Sequence, residues 1–472
     1  MYSMPIHAVP KPGSQKLRLV VNHSMGEHSL NSMIPRHLIA GSRLDTLKNL
    51  GDHLLALRGV HRPSADLVIW KSDVSQAYRR LPMHPLWQLK QIITIDGERH
   101  IDRCNNFGNR GACWIWTSFM GLVAWISNRT KATPSFVYID DNFSAMLANV
   151  TTLYKPYGQL FPADQTALLE LWDVLRLSHE PAKQVFGRVL EVIGFEVNAN
   201  AMTFTMAQSK QTELLAGLQE FTALSSSKRL PRHALRRFQQ IAGWVNWALN
   251  VHPLLKPALS HVYDKIGSKT QLNALVYVNH GIACDLDWFC GHVRNSTGVH
   301  ILESMDWDVH DADVEAFCDA SLGGLGIYFP AIGLGYQSAP PTVAPPAGVI
   351  FYLEALCVCW CLHRVADLVR RNGSVCVRRI AIWTDNENTF HIFSSLCAKP
   401  GYNEILKSSV DILLLNNFQL RVLLIPGKKN IVADTLSRWR NDIAIAGHSA
   451  KHPGSTLLID PDLSPPDVPV YR

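Results

Sequence analysis

The sequence predicts an α+β fold divided into more than one domain. Its 472 residues are about three times the roughly 150 of an ordinary domain, which predicts about two to four domains. Apolar residues make up 47% and charged residues 18%, a composition that supports packed cores and excludes a mostly disordered chain. Strand-like apolar runs alternate with helix-like runs from Leu67 to about Met206, and such mixing is typical of α+β proteins.

The regions on either side of this unit differ from it in pattern. Residues 1–66 combine turn residues with short alternating runs such as Lys16–Val20, which predict strands and loops. Residues 209–311 are mainly helical in pattern, because apolar residues recur every three or four positions. One helix face in this region contains Leu235, Phe238, Ile241, Ala242, Val245 and Leu249.

A further unit, residues 312–440, begins near Asp313 with a strand, a Gly-rich turn and a second strand. The elements that follow are an apolar helix (Ile350–Val369), a strand (Arg379–Thr384), a helix, a strand (Gln419–Ile425) and a short helix from Ile431. This order predicts an α/β domain in which helices flank a mixed sheet. The Pro-rich end, residues 441–472, is expected to be a loose tail.

Charge and cysteine content narrow the class of protein. The net charge of +6 weakly favours a polyanionic partner. The ten cysteines lack paired CxxC spacing, so buried reduced thiols of an intracellular protein are the favoured interpretation. The N-terminus has no secretory pattern, and the apolar runs Trp114–Ile126 and Ile350–Leu362 are shorter than the roughly 20 residues that span a bilayer. We therefore expect no membrane insertion, and either nuclear or cytoplasmic residence.

Acidic residues next to apolar strand runs indicate chemistry. Asp140 and Asp141 lie between two such runs, and Asp73 ends another. Buried carboxylates are costly without a partner, and three of them from two strands suit two oxygen-seeking ions such as Mg²⁺. An ordinary Asp-Asp-Asn turn remains the alternative for Asp140 and Asp141.

These residues resemble the catalytic motifs of retroelement reverse transcriptases. Tyr138-Ile139-Asp140-Asp141 matches the family's catalytic hairpin, and Asp73, with Tyr78 five positions later, matches its first motif. The resemblance implies that Asp73, Asp140 and Asp141 are catalytic and hold metal. It also implies a right-hand polymerase, with partial fingers in residues 1–66, a palm in 67–208 and a helical thumb and connection in 209–311.

The same resemblance supplies candidate substrate-binding residues. They are Lys11 and Arg18 for the triphosphate, Tyr78 under the sugar, Gly108 against template and nucleotide, and Lys183 near the departing pyrophosphate. The Gly108 motif departs from the family's commoner Leu-Pro-x-Gly. The Tyr78 ring would collide with a 2′-hydroxyl and so favour deoxynucleotides, although a tyrosine packed in the palm core is the alternative. The segment Leu190–Phe195 resembles the hairpin that grips the primer end.

Basic residues at the start of one helix are candidates for nucleic-acid binding. Arg232, Arg236 and Arg237 could track a phosphate backbone, whereas a solvated helix face is the more usual explanation. Trp244 and Trp247 are expected in the core.

The C-terminal unit contains a second set of acidic residues. Asp319, Glu354, Asp385 and Asp434 lie at element ends or on apolar faces, and they resemble the metal-binding residues of retroelement ribonuclease H. The segment that ends at Arg438, Ala-Asp-x-Leu-Ser-Arg, is similar to gypsy-type and DIRS-type retrotransposons. Those relatives commonly carry a His where this chain has Leu424, so we expect slowed cleavage here.

Together these patterns predict a retrotransposon RNA-directed DNA polymerase with ribonuclease H. Expected cofactors are two Mg²⁺ ions per active site, with Mn²⁺ as a substitute. Expected partners are an RNA template, a DNA primer, the RNA–DNA hybrid and deoxynucleoside triphosphates. The chain starts within fingers-like strands, which suggests an N-terminally incomplete copy. The alternative is therefore a truncated, inactive relic that only binds nucleic acid.

Overall fold

The computed structural model describes residues 3–10, 17–41, 44–62, 64–130, 134–222, 231–296, 298–300, 307–341, 349–372, 377–460 and 464–466. Helices account for 47% and strands for 25% of the structure, which confirms the predicted α+β class. The contacts divide the chain into two compact units. Unit 1 comprises Met1–Ala207 and Gly298–Ser304, and unit 2 comprises Gln208–Thr297 and Met305–Arg472.

Unit 1 combines short hairpins with one central sheet. Its helices are α1 (Leu47–Val60), α2 (Pro85–Gln88), α3 (Ala112–Thr130) and α4 (Ala163–Val174). Its strands are β1 (Ile6–Pro10), β2 (Leu17–Val21), β3 (Leu67–Val74), β4 (Ile92–Ile95), β5 (Glu98–Ile101), β6 (Phe136–Tyr138), β7 (Asp141–Leu147), β8 (Thr151–Tyr154), β9 (Gln159–Pro162), β10 (His179–Gly187), β11 (Val189–Val192), β12 (Phe195–Asn198), β13 (Thr203–Thr205) and β16 (Val299–His300).

The central sheet of unit 1 has the strand order β10-β3-β7-β6 and is antiparallel throughout. Helices α3 and α4 cover it, and Trp70, Trp116 and Trp172 are completely buried in the core between these elements. Large buried rings contribute strongly to such a core because each removes much apolar surface from water. The sheet therefore gives β3 and the β6–β7 hairpin a rigid support.

Unit 2 contains a six-stranded mixed sheet and most of the helices. Its strands are β14 (Arg232–Ala234), β15 (Leu275–Tyr277), β17 (Val314–Ser321), β18 (Gly324–Phe329), β19 (Leu334–Ser338), β20 (Arg379–Thr384), β21 (Gln419–Leu424) and β22 (Leu458–Asp460). Its helices are α5 (Gln208–Thr222), α6 (Leu235–Ala248), α7 (Ser260–Ile266), α8 (His280–Asn295), α9 (Val349–Asn372), α10 (Glu387–Ser395), α11 (Pro400–Asn416), α12 (Ile431–Ser437) and α13 (Asn441–Lys451).

The large sheet has the order β21-β20-β17-β18-β19-β22, with β17, β20 and β21 parallel and β17, β18 and β19 antiparallel. Helix α9 packs on β17 and beside α11. By length and composition α9 could cross a membrane, yet 72% of its apolar stretch is buried inside the protein. Cys357, Cys359 and Cys361 of α9 are buried free thiols.

A polar seam joins α8 to α11 within unit 2. The buried Asp285 of α8 lies 3.1 Å from the Lys407 ammonium and accepts hydrogen bonds from Asn403, both on α11. Farther along, Asp411 of α11 accepts from the indole of Trp288 at 2.7 Å and lies 2.7 Å from a ring nitrogen of His292. Each helix thus provides one carboxylate that binds side chains of the other helix. The helical segment and the six-stranded sheet, which were expected in separate domains, belong to one compact unit.

Two sequence predictions about the positions of secondary-structure elements fail in unit 2. Residues 441–460 are not loose, because α13 buries Ala444 and His448, and β22 pairs with β19. Most of the prolines that suggested a loose tail follow Asp460. They lie beyond α13 and so do not prevent this helix from forming. Arg232 does not start a helix but lies in β14, where it pairs with Tyr277.

Candidate active sites

The first candidate site is built on a two-residue turn between β6 and β7. Tyr138 pairs with Asp141, so Ile139 and Asp140 form the turn. Ile139 has a φ of 57°, a left-handed conformation that is unfavourable for a β-branched residue. The indole of Trp116 donates a hydrogen bond to the Ile139 carbonyl at 2.7 Å. This contact holds the strained turn and leaves Asp140 exposed at its tip.

Asp73 lies directly opposite Asp141 across the β3–β7 pair. The Lys183 ammonium of β10 is 3.1 Å from Asp73 Oδ2, and the Lys71 ammonium is 3.9 Å from Asp141 Oδ2. Asp73 Oδ1 is buried and has no hydrogen-bond partner among the described residues. Strand pairing therefore brings together Asp73, Asp140, Asp141 and Lys183, which are distant in sequence.

Burial changes the protonation of these carboxyl groups. It raises the pKa of Asp141 to about 6, and the charges of Asp140 and Asp73 add to the effect against that of Lys71. It also raises the pKa of Asp73, although Lys183 opposes the shift. Like charges held close together disfavour ionisation of each carboxyl group. The site consequently favours a bound cation, and the unpartnered Asp73 oxygen is a suitable ligand for Mg²⁺.

Tyr78 packs against Phe107, the residue that precedes Gly108. The rings of Tyr78 and Phe107 are 5.1 Å apart, and Trp116 contacts Tyr78 from another side. Gly108 has a φ of 108°, and a Cβ there would lie 1.9 Å from the Val21 carbonyl oxygen. The position therefore requires glycine, because only glycine lets the two backbones approach so closely.

The two remaining substrate-binding candidates are not placed by the structure. Lys11 lies outside the described residues. Arg18 pairs with Val9 in the β1–β2 hairpin, and its side chain is also outside the described part. Their assignment to a triphosphate stays a prediction.

A buried polar network behind Tyr78 was not predicted. Arg79 donates two hydrogen bonds to Asp102, at 2.8 and 3.2 Å, and Asn106 donates a third at 3.0 Å. Burial would raise the pKa of Asp102, but these donors outweigh it and lower the pKa. His23 hydrogen-bonds to Asn106. The network joins three chain segments. The sequence did not indicate it, because Asp102 is a single acid between basic residues.

The three arginines of the helical segment have different environments. The Arg232 guanidinium lies 3.9 Å from the centre of the Tyr277 ring, and Arg237 pairs with Glu220. Arg236 is exposed and donates to Asn273 at 2.7 Å. Trp244 is 36% exposed, against the prediction of a core residue, because it packs over Gly217 on the surface of α5.

The second candidate site lies on the large sheet of unit 2. Carboxylate oxygens of Asp319 on β17, Glu354 on α9 and Asp385 after β20 all lie within 4.8 Å of one another. Asp434 of α12 lies outside this group of three and pairs instead with Arg438 at 2.8 Å. Its charge still raises the pKa of all three carboxyl groups, so it lies near them.

Glu354 has the most strongly raised pKa among the acids of this cluster. Its side chain is 5% exposed, and burial, followed by the charges of Asp319 and Asp385, raises its pKa to about 9. Burial likewise raises the pKa of Asp319 to about 7. Glu354 Oε2 has no hydrogen-bond partner among the described residues. An acidic cluster with an unpartnered buried oxygen fits divalent cations that prefer oxygen ligands.

Two neighbours of the cluster complete its geometry. The hydroxyl of Ser437, which sequence reasoning did not single out, donates to Asp319 Oδ2 at 2.6 Å. Leu424 ends β21, pairs with Thr384 and is 38% exposed. Leu424 is therefore paired with the residue that precedes Asp385. It is apolar, whereas the family that the sequence resembles often has His at this position.

Comparisons with known proteins were made for sequence and structure. No protein-family model and no curated protein match the chain. Among solved structures, it is similar to the foamy viral protease-reverse transcriptase in complex with dsDNA, at 14% identity and a TM-score of 0.45 over 99% of this chain and 79% of that chain.

Two further structures of that viral protein are similar. One, its dRH form in complex with ds DNA, has 14% identity and a TM-score of 0.45 over 90% of this chain and 65% of that chain. The other, in complex with an RNA/DNA hybrid, has 12% identity and a TM-score of 0.41 over 89% of this chain and 50% of that chain. This chain thus spans only part of the length of those proteins.

Proposed function

We propose that this chain is a retrotransposon reverse transcriptase, an RNA-directed DNA polymerase that also has ribonuclease H activity. The observation that carries the polymerase assignment is the position of Asp73 opposite Asp141 at the strained Tyr138–Asp141 turn. An ordinary surface turn needs no carboxylate on the neighbouring strand. It also gives no reason for a buried carboxylate oxygen without a hydrogen-bond partner. The proposed partners are an RNA template, a DNA primer and deoxynucleoside triphosphates.

In the polymerase site, Asp73 and Asp140 would hold Mg²⁺, and Asp141 would support them. Mg²⁺, when bound, activates an attacking hydroxyl and stabilises charge on phosphate oxygens. The Lys183 ammonium lies 3.1 Å from Asp73, and a cationic donor of this kind suits a departing pyrophosphate. Tyr78, fixed between Phe107 and Trp116, is the residue that would exclude a 2′-hydroxyl.

In the ribonuclease H site, Asp319, Glu354 and Asp385 would hold Mg²⁺, with Asp434 as the fourth acid. The mutual approach of the first three within 4.8 Å supports this proposal. Metal binding would also compensate the burial of Glu354, which otherwise favours its protonated form. The substrate would be the RNA strand of an RNA–DNA hybrid.

Primer extension on an RNA template with Mg²⁺ tests the polymerase proposal. We expect Asp140→Asn to abolish extension while hydrolysis of a preformed hybrid continues. Asp385→Asn is the matched control, because it should abolish hydrolysis and leave extension intact. Equal extension by the wild-type chain and Asp140→Asn would exclude the polymerase and favour a relic that only binds nucleic acid.

A further inference from the structure

Helix α12, which carries Asp434, ends at a left-handed residue that is not glycine. The backbone N–H of Trp439 donates to the Leu436 carbonyl at 3.1 Å, and that of Arg440 donates to Thr435 at 2.9 Å. These two bonds define a Schellman motif, whose left-handed position is usually glycine. Trp439 occupies that position with a φ of 60°. The chain thus carries a large aromatic side chain where local backbone preference favours glycine.

The indole of Trp439 is anchored at one end and exposed elsewhere. Its N–H donates to the Gly323 carbonyl at 3.0 Å, and the side chain is 45% exposed. A Cβ at Gly324 would lie 2.8 Å from the indole nitrogen and 2.7 Å from the Ser437 carbonyl oxygen. The turn between β17 and β18 therefore has room for the indole only because glycine stands at 324.

A chain of hydrogen bonds connects this ring to the carboxylate cluster. From Gly323, the backbone N–H donates to Ser321 Oγ at 3.1 Å, and that hydroxyl donates to the Ser437 carbonyl at 2.8 Å. The Ser437 hydroxyl in turn donates to Asp319 Oδ2 at 2.6 Å. Trp439 accordingly lies on the rim of the second site, fixed relative to Asp319.

The opposite rim carries positive charge. Lys428 and Lys429 are exposed and directly follow Gly427, where a Cβ would lie 2.8 Å from Asp385 Oδ2. An exposed ring on one side of an acidic cluster and two ammonium groups on the other suit a nucleic-acid strand. The cations bind its phosphates, and the ring stacks on a sugar or base.

We propose that Trp439 is a substrate-contacting residue, which packs its exposed indole face against a strand of the RNA–DNA hybrid bound at the second site. This inference deepens the ribonuclease H half of the proposed function and rests on it. Leu396 after α10 has the same left-handed conformation, so Trp439 is distinguished by its exposed indole and by its hydrogen-bonded connection to Asp319. A ring that only closed the helix end would have no need of its exposed face.

Cleavage kinetics of the full chain separate the two roles of Trp439. Loss of one stacking contact weakens binding by about 1 to 3 kcal/mol, so Trp439→Ala should raise KM for a hybrid roughly 5- to 150-fold at nearly unchanged kcat. Trp439→Phe should recover most of this loss. Trp439→Gly is decisive, because glycine suits the backbone. We expect its Tm to be at least that of Trp439→Ala, with an equally raised KM. A wild-type KM for Trp439→Gly would overturn the proposal.

A crosslinking experiment provides a readout that does not need turnover. The chain carrying p-benzoyl-phenylalanine in place of Trp439 is irradiated with a labelled hybrid in Ca²⁺. The matched control carries the same group in place of Leu415, which is 78% exposed on α11. We expect crosslinks from position 439 alone. Bound hybrid without crosslinks above the control would overturn the proposal, whereas absent primer extension would overturn only the polymerase assignment.

Discussion

The Ser437 hydroxyl donates a hydrogen bond to Asp319 Oδ2 at 2.6 Å, and both side chains are buried. The contact joins the end of α12 to β17. It also lowers the pKa of Asp319 against the effect of burial. Ser437 thus orients one carboxylate of the cluster without belonging to it.

Replacing Ser437 by Ala should weaken divalent-metal binding at the second site. Partners of metal ligands contribute about 10- to 100-fold in affinity, and the released Asp319 oxygen would also favour protonation. The measurement is a titration of Tm with Mn²⁺ in the absence of nucleic acid. Ser437→Thr keeps the hydroxyl and is expected to bind near normally. Equal metal affinity for the wild-type chain and Ser437→Ala would contradict this role.

The raised pKa of Glu354 predicts a pH-dependent stability of the metal-free protein. The folded pKa is about 9 and the ordinary value is 4.5, so the folded state binds the proton more tightly than the unfolded state. Stability should therefore fall as pH rises from about 4.5 to 9, by at most about 1.4 kcal/mol per pH unit.

Glu354→Gln should remove this pH dependence, because glutamine does not titrate. In EDTA at pH 8 its Tm should exceed that of the wild-type chain, and Mg²⁺ should reverse the order by stabilising the wild-type carboxylate. The measurement is Tm against pH with and without Mg²⁺. Parallel curves for the two proteins would show that Glu354 does not carry the effect.

Gly108 offers a stability test in unit 1. Gly108→Ala places a Cβ 1.9 Å from the Val21 carbonyl oxygen in a left-handed backbone, and we expect a loss of about 1 to 3 kcal/mol. Gly59→Ala is the control, because no atom lies within 4 Å of a Cβ there and alanine favours the helix by about 1 kcal/mol. Urea unfolding measures both variants. A Gly108→Ala chain as stable as Gly59→Ala would contradict the close approach.

Replacing Leu424 by His is expected to increase the rate of hybrid cleavage. A His there would lie at the end of β21, paired with Thr384, the residue that precedes Asp385. General acid or base assistance contributes about 10² to 10⁴-fold where geometry is ideal, so we expect Leu424→His to raise kcat of hybrid cleavage several-fold. Leu424→Gln, polar but unable to titrate, is the control. An equal increase in both variants would attribute the change to polarity alone.

Residues within one strand or helix were the easiest to predict. Strand Arg379–Thr384 has the bounds expected from its apolar run, and the acid in an apolar helix, Glu354, is buried as its surroundings indicated. The contacts that depend on register between distant segments were not visible. Ser437 meets Asp319, and Arg79 meets Asp102, only after folding. The pairing of Asp434 with Arg438 has the i,i+4 spacing of a helical ion pair, and it was missed because Asp434 was assigned to the metal-binding acids on the family resemblance.

The seam between α8 and α11 limits how unit 2 can be divided. A fragment that starts at Trp307 would lose Asp285, so the buried Lys407 ammonium would keep only Glu404, 2.6 Å away, and the Asn403 amide would lose the carboxylate to which it donates. Removing one partner from a buried charged network lowers the free energy of unfolding. Gln208–Thr297 and Met305–Arg472 therefore belong together in any fragment made for separate expression. By the same reasoning, the helical segment and the six-stranded sheet are expected to be exchanged together in any working chimera of this chain.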